Sequence, residues 1–415
     1  MTGGLRRQLG LPGSVAIGLS SMIGAGVFVV FAPAAEAAGD GLYVALSVAA
    51  LIALCNAMSS ARLASIYPES GGTYVYGRER LGPFWGYLAG SSFIVGKIAS
   101  CAAMALAIGA YAWPHHAHGV AVVAVLSVTV INYAGVQKSA VAAFVIVGIT
   151  LVVLVTVVVA TLVGPASDTA DSLTATPDGV IQAAGLLFFA FAGYARLATL
   201  GEEVRNPRST IPRAIGTSLA ITVALYALLA FALQRTLGIA GLAVASAPLT
   251  DAAQTAGASG IEPAVRTAAV IASLGSLLSL LLGVSRTVLA MARDRHLPRA
   301  LDAIHPRFAV PHRAEIAIGI IVAALAATLD LRNAIGFSSF AVLIYYSIAN
   351  ASAWTLDRNW QSRVIPALGI VGCLTLAFAL PPTSVVSGTG ILLVAAIIWR
   401  IRRPLRDPQS KERTP

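Results

Sequence analysis

The sequence predicts an all-α membrane protein with about twelve transmembrane helices. Hydrophobic residues make up 57% of the 415 residues and charged residues only 11%, whereas a typical soluble domain carries about 25% charged residues. The apolar residues form blocks long enough to cross a bilayer, which needs about 20 helical residues. Pro, Gly and clusters of charge separate these blocks. A soluble fold is therefore excluded.

The apolar blocks follow one another along almost the whole chain. Their predicted limits are 13–37, 41–66, 82–111, 119–136, 139–163, 179–204, 211–236, 264–292, 314–330, 333–356, 363–380 and 385–401. Arg6 and Arg7 before the first block resemble the start of a secretory signal peptide. That block is longer than the usual apolar region of about 7–15 residues, so we expect a retained first span. We expect one transmembrane domain over 1–401 and a cytoplasmic tail over 402–415.

Basic residues gather in alternate loops, which predicts the orientation in the membrane. With the N-terminus inside, these basic residues are also inside: Arg78, Arg80, Lys138, Arg205, Arg208, Arg213, Arg293, Arg295, Arg299, Arg307, Arg313, Arg358, Arg363 and those from Arg400 onward. The outer loops keep only Arg235, Arg266 and Arg332, beside Asp168, Asp171, Asp178, Asp251 and Glu262. Because cytoplasmic loops carry the excess of Lys and Arg, we expect a multi-pass protein of the cell membrane with both termini cytoplasmic. The net charge of +10 thus reflects contact with the lipid bilayer, and we expect no nucleic-acid partner.

The sequence carries no pattern of an enzyme. Nucleophile–base sets and phosphate-cradling loops are absent from it, so we expect no catalytic residues, no ATP site and no cofactor. Three cysteines lie inside apolar blocks, where they are expected to be packing residues: Cys55, Cys101 and Cys373. Three histidines crowd one outer loop, which we expect to be solvated rather than a metal site: His115, His116 and His118.

Two blocks contain glycine near their middle. The first holds Ser20–Val27, with Gly24 and Gly26, and the sixth holds Phe188–Tyr194, with Gly193. Interrupted helices in corresponding positions of two halves are typical of inverted-repeat transporters, in which the substrate site lies at the breaks. The repeats would then cover roughly 13–163 and 179–356. The alternative is close packing of unbroken helices through small residues.

Four segments carry a family resemblance. They are Ser21–Phe28, Pro68–Tyr74, Glu202–Arg208 with Ile211–Ala214, and Ala290–Asp294 with Leu297–Pro298. In this order they resemble motifs of the amino acid–polyamine–organocation (APC) superfamily of transporters. The resemblance covers about the first 300 residues. It implies a five-plus-five inverted repeat with broken helices 1 and 6, and two extra C-terminal helices at 363–401. It also implies a substrate site between the broken helices, walled by the third, eighth and tenth spans.

The breaks suggest how a zwitterionic amino acid is held. Unwound backbone at membrane depth is tolerated beside a cavity, and helix N-termini present free N–H donors that suit a carboxylate. We expect the amides of Gly24, Ala25 and Gly26 to bind the substrate carboxylate. The ammonium group is expected at carbonyls near Met22, Ile23, Phe189 and Ala192. The family places an aromatic gate here, and Phe189 is our choice.

The chain departs from the family pattern where protons are usually coupled. Many relatives carry an acidic residue after the Gly-aromatic pair of the sixth span, where Ala195 and Arg196 stand here. Others carry a lysine midway along the fifth span, where Thr150 stands. We therefore assign proton coupling to Lys97, an intramembrane charge in the third span. The alternative is a structural role, in which Lys97 stays protonated, bonds to backbone carbonyls and only holds helices together.

The second intramembrane cation is Arg196, which we expect to pair with Glu202 or Glu203. A positive interior disfavours cationic substrates. We therefore expect proton-coupled symport or exchange of a small, neutral amino acid. The alternatives are sodium coupling through first-span carbonyls and the hydroxyls of Ser285 or Thr287, a sensor that does not transport, and a channel.

Overall fold

A computed structural model of the chain describes residues 10–67, 71–135, 140–166, 173–194, 197, 204–308, 310–357 and 359–402. These residues are helical and connected by loops, without a β-strand. The helices of the first half are α1 Leu11–Met22, α2 Gly26–Val29, α3 Phe31–Ala38, α4 Leu42–Ile66, α5 Thr73–Leu81, α6 Pro83–Ala112, α7 Ala117–Tyr133 and α8 Ala140–Val163. Those of the second half are α9 Pro177–Phe191, α10 Pro207–Val244, α11 Pro248–Thr255, α12 Glu262–Arg293, α13 His312–Thr328, α14 Leu331–Trp354, α15 Trp360–Ala379 and α16 Pro382–Arg402.

Ten helical runs of the described chain are long and apolar enough to cross a membrane. Two further helices match predicted blocks but are shorter, since α9 has 15 residues and α13 has 17. The all-α membrane class is therefore confirmed. The predicted block limits agree with the helix ends within four residues, except at the ends of α9 and α10. The predicted end at 236 lies just before a kink in α10, where Gly238 adopts φ 68°.

Two short helices were not predicted from the sequence. The helix α5 carries Arg78, Glu79 and Arg80 and has no apolar face of spanning length. The helix α11 has eight residues with an acidic first turn at Asp251. Both join spanning helices, so apolar block length, on which the prediction rested, contains no signal for them.

Small residues let the central helices approach closely. The helix α6 contacts both α12 and α14 along its length. A Cβ added to Gly96 of α6 would lie 3.0 Å from the Cβ of Ala341 in α14. Close approach through small residues is the usual way that helices associate in lipid, where no hydrophobic force drives them together. It fixes α6 in the centre of the bundle, and Lys97 with it.

Candidate functional site

The first spanning segment is broken at its glycine-rich stretch. The helix α1 ends at Met22, and α2 begins at Gly26. The Ile23 amide donates to the Leu19 carbonyl at 2.7 Å, the last such bond of α1. No described backbone carbonyl accepts from the amides of Gly24, Ala25 or Gly26. These three N–H groups are donors at the N-terminus of a half-helix, the arrangement that binds anionic groups.

The sixth spanning segment changes geometry beside this break. The helix α9 ends at Phe191, and a 3-10 turn follows at Ala192–Tyr194. A Cβ on Gly193 would overlap the carbonyl oxygen of Ser21, so the two broken segments touch through backbone. A second contact lies at Gly26, where an added Cβ would be 2.9 Å from the Cα of Ala190. Glycine is required at both positions because the partner is backbone, which cannot rotate away.

Three tyrosine hydroxyls bind the carbonyls of the two broken segments. Tyr226 of α10 donates to Met22 O at 2.8 Å and lies 3.4 Å from Ala190 O. Two further helices supply the others: Tyr111 of α6 donates to Phe28 O at 2.8 Å, and Tyr346 of α14 lies 3.4 Å from Ala192 O. All three side chains are buried. Our sequence reasoning missed them, although a tyrosine inside an apolar span needs a hydrogen-bond partner and is a usable signal.

The structure brings the predicted site residues together at the two breaks. All seven are buried: Met22, Ile23, Gly24, Ala25, Gly26, Phe189 and Ala192. The carbonyls of Met22 and Ala192 already accept from tyrosines. A carbonyl oxygen has two lone pairs, so each can accept one further donor such as an ammonium group.

Phe189 is the aromatic residue of α9 that faces the first break. Its ring carbon lies 3.5 Å from the position of a Cβ on Gly26. The neighbouring rings have other contacts, since Phe188 packs edge-on against Tyr346 and Phe191 lies against Tyr226. The placement of Phe189 is compatible with the expected gate.

A serine of α12 completes the surroundings of Gly24. The hydroxyl of Ser276 occupies the place that a Cβ on Gly24 would take. The hydroxyls considered for sodium coupling bond within their own helix, Ser285 to Leu282 O at 2.9 Å and Thr287 to Gly283 O at 3.1 Å. Ser285 is nine residues beyond Ser276, or about 14 Å along the helix axis. Of these three hydroxyls, that of Ser276 lies at the break.

Lys97 of α6 is buried, with 9% of its surface exposed. Within the described residues, its ammonium group forms neither a hydrogen bond nor an ion pair, including bonds to backbone carbonyls. One turn further, Ser100 pairs with Ser338 of α14 at 2.6 Å. The second predicted intramembrane cation, Arg196, lies outside the described residues, as do Ala195, Glu202 and Glu203. Thr150 is buried and bonds to Ile146 O at 2.7 Å.

Two of the family motifs meet at one end of the bundle. Tyr74 of α5 donates a hydrogen bond to the Asp294 carboxylate just after α12, and Arg78 lies 3.5 Å from the same carboxylate. The Tyr74 hydroxyl is also 2.9 Å from Nδ1 of His296. Burial raises the pKa of the Tyr74 phenol, and Asp294 raises it further. We call Tyr74, Arg78, Asp294 and His296 the end cluster. The first three residues of the motif that ends at Tyr74, which are Pro68, Glu69 and Ser70, lie outside the described residues.

Comparison with known proteins extends these observations. A family model described as amino acid permease matches residues 9–401. An uncharacterised transporter of Mycobacterium tuberculosis is 60% identical over 404 residues, 96% of this chain and 92% of the relative. The branched-chain amino acid permease BcaP of Bacillus subtilis is 27% identical, covering 95% of this chain and 92% of the relative. Human cationic amino acid transporter 4 is 29% identical, covering 84% of this chain and 59% of the relative.

Proposed function

Because the chain belongs to the amino acid permease family, we propose that it is a proton-coupled secondary transporter of a small, neutral amino acid. Membership of this family makes it a transporter rather than an enzyme. The observation that carries the proposal is the row of amides at Gly24, Ala25 and Gly26, which donate to no described carbonyl and lie against Phe189 and the sixth-span turn. Such a row matches a carboxylate, and the carbonyls of Met22 and Ala192 match an ammonium group.

The proposal includes the architecture and orientation expected from the sequence. The twelve spans form two inverted repeats of five, followed by α15 and α16, and both termini are cytoplasmic. The end cluster and the inner ends of α7, α12 and α13 then face the cytoplasm. The excess of arginine in the loops on that side supports this orientation.

The side chains around the breaks favour a neutral substrate. In the described stretches Met22–Gly26 and Phe189–Tyr194 the side chains are apolar or aromatic, with the tyrosine hydroxyls and Ser276 as polar groups beside them, and the buried cation Lys97 lies on a neighbouring helix. The relatives named above for branched-chain and for cationic amino acids show that the family admits both classes. An uncompensated positive charge in the interior would repel arginine and lysine, which favours the first class here.

Flux into proteoliposomes tests the substrate class. Unlabelled alanine, valine and leucine are expected to compete with uptake of at least one labelled neutral amino acid, whereas arginine and putrescine are not. Strong competition by arginine would contradict the neutral-substrate assignment. Ligand binding without saturable flux would instead identify a sensor. Flux that does not saturate with substrate concentration would identify a channel.

Lys97 is proposed to carry the coupling proton. An intramembrane charge without a partner among the described residues is costly, and a bound substrate carboxylate would offset that cost, which links protonation of Lys97 to substrate binding. Lys97→Gln is expected to bind substrate within about tenfold of the parent but to lose accumulation driven by an imposed pH gradient. Arg400→Gln, which removes an exposed cation from the end of α16, is the control.

Two results would contradict this role. Accumulation by Lys97→Gln on a proton gradient, equal to that of the parent, would remove Lys97 from coupling. Accumulation by the parent on a sodium gradient at constant pH would move coupling to sodium, with Ser276 as the nearest α12 hydroxyl.

A further inference from the structure

A carboxyl group is buried between three helices away from the breaks. Glu315 is in the first turn of α13 and is fully buried. Neither of its carboxyl oxygens has a hydrogen-bond partner among the described residues. Burying an ionised carboxylate without donors is among the costliest arrangements in a protein. Such a group is instead paired, bound to a cation or neutralised by a proton.

Two polar side chains face Glu315, Asn132 of α7 and Ser285 of α12, and both are close enough to interact with its carboxyl group. Each donates to a backbone carbonyl instead: the Asn132 amide nitrogen to Leu278 O at 3.2 Å, and the Ser285 hydroxyl to Leu282 O at 2.9 Å. Neither reaches hydrogen-bond geometry with the carboxyl oxygens, and Oδ1 of Asn132 has no partner among the described residues either. Three buried oxygens, two of Glu315 and one of Asn132, thus lack a well-formed hydrogen bond in the described part of the chain.

One proton on Glu315 supplies the missing donor. A neutral carboxyl group has an O–H that can donate to Oδ1 of Asn132, and it removes the buried charge. The helices α7 and α13 are held close enough for this contact, because a Cβ on Gly319 would overlap Thr129 Oγ1 one turn further. A metal cation would need several more oxygen ligands than this site offers.

The charges around Glu315 leave it without an ion pair. Arg286 of α12 is its nearest cation, but the guanidinium is exposed and does not reach salt-bridge distance within the described chain. On α6, Cys101 lies within electrostatic range of both Glu315 and Lys97. The titratable groups on the remaining sides are Tyr133 of α7 and His312 of α13 itself. Arg299 and Asp302 lie in the adjoining 3-10 turn and Arg313 on α13, and all three are partly or fully exposed.

A histidine connects this site to the end of the bundle. His312 is three residues before Glu315, so the two side chains lie on the same face of α13. Nδ1 of His312 is buried and has no partner in the described chain. Its ring lies 5.4 Å from that of His305 and 6.3 Å from that of Tyr133. His305 is only partly buried, so the row of Glu315, His312 and His305 leads toward water.

The carboxyl group nevertheless lies well inside the bundle. Its neighbour Ser285 is eight residues before the end of α12 at Arg293, which places it about 12 Å from that end. Asn132 and Glu315 are instead near the ends of α7 and α13, two helices of 17 residues each. These two helices therefore end deeper in the bundle than α12, and His312 and His305 cover their ends.

We propose that Glu315 is a proton-binding site that exchanges protons with the cytoplasm through His312 and His305. The inference rests on the proposed function and orientation for its role in transport. A proton bound by the carboxylate gives the neutral acid, and on release it passes to cytoplasmic water through the two histidines. Lys97 and Glu315, which both lie within electrostatic range of Cys101, are the two ends of the intramembrane part of the path.

Infrared difference spectroscopy on purified protein in lipid tests the site without requiring transport. The parent is expected to show a protonated-carboxyl C=O band at neutral pH, absent from Glu315→Gln and retained in Glu36→Gln, which changes a half-exposed carboxylate. Asn132→Leu is expected to shift that band, since the acceptor of the carboxyl proton is lost. Absence of the band from the parent would overturn the proposal, as would its loss on adding sodium at constant pH.

Transport measurements test the role of the same group. Glu315→Gln is expected to keep substrate counterflow and substrate-induced thermal stabilisation while proton-driven accumulation falls at least tenfold. His312→Phe, which keeps the ring but removes its nitrogens, should slow accumulation and leave the infrared band in place. Undiminished accumulation by Glu315→Gln would overturn the coupling role. If the parent transports nothing while the band behaves as expected, the proposed function fails and the proton site stands.

Discussion

At the scale of single residues, the Tyr226 hydroxyl contacts both broken segments. It donates to Met22 O, the last carbonyl of α1, and lies near Ala190 O of α9. A break in a spanning helix frees backbone groups that lipid cannot satisfy. A tyrosine from the part of α10 before its kink meets this need from the side.

Tyr226→Phe is expected to destabilise the site. Loss of the hydroxyl leaves a buried carbonyl without its donor, which costs about 1–3 kcal/mol. We expect a lower thermal unfolding temperature and weaker uptake, with the helical content unchanged in circular dichroism. Tyr43→Phe, at an exposed position of α4, is the control. Equal stability and uptake in the two variants would show that the hydroxyl does not hold the breaks.

At the scale of elements, α12 approaches the first break through one pair of residues. Gly24 leaves room for the Ser276 hydroxyl, and the next hydroxyl of α12, that of Ser279, donates to Gly275 O of its own helix at 2.9 Å. The spacing of α1 and α12 is therefore set by a glycine against a short side chain, a contact that one methyl group is enough to disturb.

Gly24→Ala is expected to reduce substrate affinity about tenfold, because the new methyl group displaces the Ser276 hydroxyl at the amides. Removing the opposing side chain in Gly24→Ala/Ser276→Gly is expected to recover part of that loss. Binding is measured by substrate-induced thermal stabilisation. Gly148→Ala in α8 has open space around it and serves as the control. No recovery in the double variant would show that Ser276 is not what the methyl group meets.

The sequence predicted most spanning elements because their signal is local. Apolar block length and glycine position suffice for α4, α6 and α12, and for the break at Gly24. Contacts between distant helices leave no such signal. Ser276 beside Gly24, Tyr226 across both breaks and Glu315 beside Asn132 each join residues more than 35 positions apart in sequence. A single sequence contains both residues of each contact, but it does not show that the two lie together in the fold.

At the scale of the whole molecule, the end cluster ties α5 to the end of α12. The bond from Tyr74 to Asp294 connects α5 to α12, which forms one wall of the proposed site. A second tie lies nearby, where the Thr73 amide donates to the Tyr345 hydroxyl of α14 at 3.2 Å. Opening the proposed cytoplasmic side requires these bonds to break.

Tyr74→Phe is expected to favour the open side. Loss of a hydrogen bond to a charged group is worth about 1.5–3 kcal/mol, so the ratio of closed to open molecules should fall by roughly tenfold or more. Hydrogen exchange in 73–81 and 291–297 should accelerate, while exchange in α8 stays unchanged. Equal exchange rates in parent and variant across both segments would show that the cluster does not hold this side closed.

The length of α13 has a consequence for the surrounding lipid. Its 17 residues extend about 26 Å, less than the hydrocarbon thickness of about 30 Å. It presents the apolar side chains of Ile320 and Ile321 outward. We expect acyl chains beside this face to compress or tilt, at a cost that longer chains increase. Membranes of shorter acyl chains should therefore suit this protein and bring bulk water nearer to its buried acid, Glu315.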